Sequence, residues 1–72
     1  MQESRFHLAI SAELFLEYYR GAARQVVVKA HDGRTLQFPA GILQRFLDQA
    51  GIHGEFVIRF DSQNKFVDIR RV

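Results

Sequence analysis

An α+β domain is the fold class this sequence predicts, and three patterns predict it. Apolar and polar residues alternate over five short stretches, the period of a half-buried strand. Two other stretches carry apolar residues at the spacing of an amphipathic helix. Turn-forming residues, Asp32-Gly33 and Ser62-Gln63-Asn64, separate neighbouring strands as hairpins. The elements run β-α-β-β-α-β-β, a five-stranded, mainly antiparallel and twisted sheet with two helices on one face. A small, partly open barrel is the alternative architecture.

The first strand covers Arg5 to Ile10, with Phe6, Leu8 and Ile10 on one face. Ser11 stands where a helix N-cap belongs, and Glu13 suits the positive end of the helix dipole. Leu14, Phe15 and Tyr18 form the apolar stripe of that helix, with Arg20 and Gly21 at its stop. In the next strand, Gln25 to His31, Val26, Val28 and Ala30 point one way. Asp32-Gly33 predicts a type I′ turn, which needs positive φ at both central residues. The returning strand brings Leu36 and Phe38 inward. Pro39 ends it, because proline cannot donate to a sheet ladder and suits the first turn of a helix.

Ile42, Leu43, Phe46, Leu47 and Ala50 make the apolar side of the second helix, with Gly51 as its C′ residue. The last two strands run from Glu55 to Asp61 and from Lys65 to Arg71. Phe56, Ile58 and Phe60 form the inner row of the first. In the second, alternation puts either Val67 and Ile69 inward or Phe66 with Asp68 and Arg70. The former choice buries no charge, so it is preferred, leaving Phe66 on the outer face.

Seventy-two residues make one domain, spanning 1–72, with residues 1–4 expected to be flexible. Hydrophobic residues at 47%, seven Phe among them, indicate a packed core. The absence of Cys excludes disulfides, thiolate metal sites and thiol catalysis. Ten basic side chains, eight of them Arg, stand against eight acidic ones, a bias too mild for an overt nucleic-acid binder. No secretory leader is visible, and no stretch approaches the length of a membrane span, so a cytoplasmic location is expected.

Chemistry-bearing residues are sparse. His7, His31 and His53 lie far apart in sequence and lack the local spacing of a metal cluster, so surface roles are expected and no metal or cofactor is predicted. Ser4, Ser11 and Ser62 sit at a terminus, a helix cap and a turn, without a nucleophile elbow. Glu13 and Glu17 share a solvated helix face. No catalytic residue is therefore assigned, and the chain is read as a non-enzyme.

Arg20 and Arg24 stand at the Arg-x-x-x-Arg spacing of PilZ-type cyclic-dinucleotide receptors and are weak anion-site candidates. The partner Asp/Asn-x-Ser-x-x-Gly motif of those receptors is missing. The richer constellation is the outer sheet face: Val27, Lys29, Val57, Arg59, Phe66 and Arg70. Apolar and aromatic content there fits docking of a protein partner or a second copy. The alternative is weak binding of single-stranded nucleic acid through cations and a stacking ring. A regulatory or interaction module is the preferred reading.

With these residues placed, the chain resembles a short bacterial family known as domain of unknown function 2835. The resemblance is carried by Tyr18-Tyr19-Arg20-Gly21-Ala22, Asp32-Gly33-Arg34, Gln37-Phe38-Pro39-Ala40, Gly51-Ile52-His53-Gly54-Glu55-Phe56 and Asn64-Lys65-Phe66. It runs from about Phe6 to the C-terminus. It implies a stand-alone bacterial protein and brings no assigned catalytic or binding residue.

Overall fold

The computed structural model describes residues 2–20 and 25–72, apart from the side chain of Tyr18. Gly21 as a helix stop, Arg24 as an anion ligand and Tyr18 as a stripe residue therefore lie outside the described residues. The elements follow the predicted order: β1 (Gln2–Ile10), α1 (Ala12–Arg20), β2 (Gln25–Lys29), β3 (Thr35–Pro39), a 3-10 helix (Ala40–Phe46), β4 (Ile52–Phe60) and β5 (Phe66–Arg71).

All the strand pairings are antiparallel, and the strands form two sheets, one ordered β1-β4-β5 and the other β2-β3. The fold is α+β as predicted, and it is not closed into a barrel. The single continuous sheet is corrected to two because the β2-β3 hairpin meets β1 at one end instead of along a ladder. There the His31 N–H donates to Arg5 O (2.9 Å) and Arg34 Nη2 donates to Ser4 Oγ (2.8 Å). Gln2 to Ser4 lie within β1. Gln2 pairs with Phe60, and Ser4 is buried opposite Ile58.

Alternation fills the core as the sequence predicts. Phe6 and Ile10 of β1, Val26 of β2, Leu36 and Phe38 of β3, and Phe56 and Ile58 of β4 are buried. The Phe6 ring lies 5.6 Å from Phe38 and 5.6 Å from Phe56, so one side chain joins the two sheets. From α1, Phe15 is fully buried and Leu14 is exposed. Ser11 caps that helix, its Oγ accepting from Leu14 N–H (3.2 Å).

The second helix is a short 3-10 segment, with Leu43 buried and Ile42 and Phe46 packed against the core. Gly41 and β-branched Ile42 weaken helix propagation, and Pro39 offers no side-chain cap. Leu47 turns extended (φ −74°, ψ 129°), so Leu47 and Ala50 are outside the helix. Asp48 and Gly51 exchange two backbone hydrogen bonds (3.1 and 3.0 Å) in a tight turn. Gly51 has φ +105°, and a Cβ there would come within 2.0 Å of Ile10 O. Its role is to let this turn close against the β1–α1 junction, not to terminate a helix.

Both hairpins use the same loop. Ala30 N–H donates to Arg34 O (2.8 Å) and Gly33 N–H to Ala30 O (3.0 Å). Asp61 N–H donates to Lys65 O (2.9 Å) and Asn64 N–H to Asp61 O (3.0 Å). Each is a three-residue connection whose last residue takes positive φ, Gly33 at 91° and Asn64 at 63°. The two-residue type I′ turn at Asp32-Gly33 is corrected accordingly, since Asp32 does not take positive φ. Asp32 Oδ1 instead accepts from Arg34 N–H (3.0 Å), holding the turn from within.

Candidate interaction surface

β5 forms one open edge of the three-stranded sheet. Its register against β4 slips by one residue: Phe66 lies opposite Phe60, Asp68 opposite Arg59, and Val67 is the extra residue of a bulge. The slip removes the choice that strict alternation imposed. Phe66 and Ile69 both stand opposite core-row residues, Phe60 and Ile58. Val67, expected in the core, is 40% exposed, and Phe66 is 40% exposed without belonging to the outer face. Together with Gly41, Ile42, Arg45 and Ile69 they line a shallow groove between the 3-10 helix and the strand.

Past the bulge, the backbone directions of β5 can be read from two contacts. Val72 N–H donates to Glu55 O (3.0 Å), so Val72, Arg70 and Asp68 turn their amides toward β4. Ile69 and Arg71 turn theirs outward. In agreement, the guanidinium of Arg45 reaches from the 3-10 helix and donates to Ile69 O. Arg45 also lies over the Phe46 ring (4.7 Å). Arg71 stacks over Phe46 and Phe56 (5.5 Å each) and donates to Phe46 O (3.2 Å). The groove thus has an apolar floor, a cationic rim and a row of strand amides along one wall.

The six residues assigned to one outer face are dispersed. Val27, 62% exposed, and Lys29 belong to the β2-β3 sheet. Val57 does point away from the core row but is fully buried. Its cross-strand neighbours are Arg5 and Arg70, whose aliphatic stems can cover a valine on a central strand. Arg59 is held by Asp68 through two hydrogen bonds, one of 2.7 Å from Nε. That pairing holds the Asp68 carboxyl below, and the Arg59 guanidinium above, their ordinary pKa values. Arg20 is exposed at the end of α1 beside Tyr19, Pro39 and Gly41.

One cluster was not legible in the sequence. Glu55 of β4 receives His31 Nε2 at 2.7 Å and His7 Nδ1 at 3.3 Å. The hydrogen bond from His31 is the main cause holding the Glu55 carboxyl below its usual value. Glu55 ties the tip of the β2-β3 hairpin to β1 and β4. All three side chains are open to solvent, and no group of three His, Cys, Asp or Glu among the described residues could hold a metal ion. Only the β1–β4 register brings His7 opposite Glu55, and nothing local announces it. His53, by contrast, stays in its own turn, with Nε2 2.6 Å from Ala50 O.

Comparison with known families decides what the chain is. The family described as Protein of unknown function (DUF2835) matches residues 2–72. The chain belongs to that family. No curated protein and no solved structure matches it. Membership in DUF2835 therefore names no activity. No helix among the described residues is long and apolar enough to cross a membrane.

Proposed function

We propose that this DUF2835 chain is a non-catalytic docking module that accepts an extended strand of a protein partner along β5. The observation that carries the reading is the conjunction of outward-facing amides at Ile69 and Arg71 with the flanking groove of Ile42, Phe66 and Val67. Strand addition draws its affinity from backbone hydrogen bonds and its selectivity from side-chain pockets beside the edge. Both are offered here. The titratable cluster at Glu55 is spread on an open face instead of lining a cleft, which favours a structural role for it over catalysis.

The single-stranded nucleic-acid reading draws less support. Arg59 is neutralised by Asp68, and Phe66 sits apart from Lys29. Stacking and phosphate contact need these groups on one surface. The test is to select extended peptides on the immobilised protein and map binding by amide chemical shifts. Shifts at Ile69, Arg71 and the Ile42–Phe66 groove are the expected outcome. Shifts confined to the β2-β3 sheet, or salt-steep oligonucleotide binding in place of peptide binding, would refute the reading.

A further inference from the structure

The partner strand can be identified from the charge order of β5 itself. We propose that β5 pairs antiparallel with β5 of a second copy of this chain, about a twofold axis through Ile69. This rests on β5 being the docking edge and names its occupant. In the regular part of the strand the order is Asp68-Ile69-Arg70-Arg71. A twofold at Asp68 sets that carboxylate against itself. One at Arg70 or at Arg71 sets two guanidinium groups against each other. Like charges directly opposite on paired strands repel. Only the axis at Ile69 places Asp68 opposite the partner's Arg70, twice, by symmetry.

The backbone agrees with that register. Ile69 faces outward, so Ile69 and the partner's Ile69 form the hydrogen-bonded pair at the axis. Asp68 and the partner's Arg70 then occupy the flanking non-hydrogen-bonded position, where side chains approach more closely. Asp68 already lies beside Arg59 on its own sheet, so its carboxylate joins the two cations across the dimer. The two three-stranded sheets meet edge to edge with their Ile69 side chains on the core face, opposite Ile58. Such an interface is isologous, as a closed dimer requires.

Arg45 regulates the union. Its guanidinium occupies Ile69 O, the acceptor that the partner's Ile69 N–H must reach, so pairing exchanges one hydrogen bond for another. This keeps the edge from associating indiscriminately, a task that exposed strands commonly give to a long cation. Arg45→Ala leaves the acceptor free and should tighten self-association about tenfold.

The chain has no native Cys, which makes the register directly readable. The Asp68→Cys and Arg70→Cys proteins, each alone and as an equal mixture, are oxidised with diamide and resolved without reductant, using mass spectrometry to tell the products apart. The proposal expects the mixed disulfide, which joins one variant to the other, to dominate. Homodisulfides of either variant in excess of the mixed product would overturn the register. Sedimentation equilibrium provides the second arm, with circular dichroism confirming the fold of each variant. The native chain should dimerise with rising concentration, and Arg70→Glu should remain monomeric. A native chain that stays monomeric throughout overturns the proposal. If selected peptides still shift Ile69 and Arg71 in that case, β5 remains the docking edge and only the second copy is excluded.

Discussion

Glu55 shows how much a single exposed carboxylate can organise. Its contact with His31, assisted by His7, lowers its folded pKa below that of the unfolded chain. A depressed carboxyl contributes stability above its unfolded value, near pH 4, and loses it as pH falls through the folded value. Glu55→Gln should therefore flatten the acid limb of stability against pH. Chemical denaturation from about pH 3 to 6 checks this, and an unchanged acid limb would refute it. The glycines make a sharper contrast at the same scale. Gly33→Ala meets open space at φ +91° and should cost about 1–2 kcal/mol. Gly51→Ala meets Ile10 O as well as the positive φ and should cost about 2–5 kcal/mol. Urea unfolding orders the two, and an equal cost would deny that Gly51 answers a close approach.

Elements are legible in the sequence wherever the hydrophobic period runs unbroken. The apolar rows of β1, β2 and β3 emerge as read, because their alternation is regular and each has one face to bury, whereas β4, the central strand, buries Val57 as well as Phe56 and Ile58. β5 departs from its expected pattern at Phe66 and Val67 because its register contains a bulge. A bulge is set by pairing with another strand and leaves no mark in the strand's own period. The second helix is shorter than expected for a related reason. Leu47 and Ala50 continue a helical spacing on paper, while the Asp48–Gly51 turn takes them out of it. The bulge also determines what β5 can do, since it leaves Phe66 and Val67 half-open beside Ile42. Phe66→Ala is expected to change stability by less than about 1 kcal/mol yet weaken binding of selected peptides severalfold. Loss of stability with undiminished binding would assign Phe66 to the core instead.

For the whole molecule, two small sheets share one core, and Phe6 is where they meet, between Phe38 and Phe56. Removing that ring should cost about 3–5 kcal/mol, a large share of the roughly 4–11 kcal/mol expected for a chain of this length, so Phe6→Ala is expected to melt well below the native chain. Thermal melts followed by circular dichroism measure this, and a small loss would show that the hairpin and the three-stranded sheet are not one cooperative unit. The division into two sheets was not legible because it depends on where β2 stops pairing, a long-range choice made at the His31–Arg5 contact. β5 ends the three-stranded sheet at the side away from β1, and the proposed docking rests on that edge. Amide hydrogen exchange at Ile69 and Arg71 across a wide range of protein concentration tests this most directly. Protection at these two amides is expected to climb with concentration, while that at Asp68 and Arg70, already turned toward β4, stays constant. Protection at Ile69 and Arg71 that is high and independent of concentration would contradict it, because the edge would then be closed within the monomer.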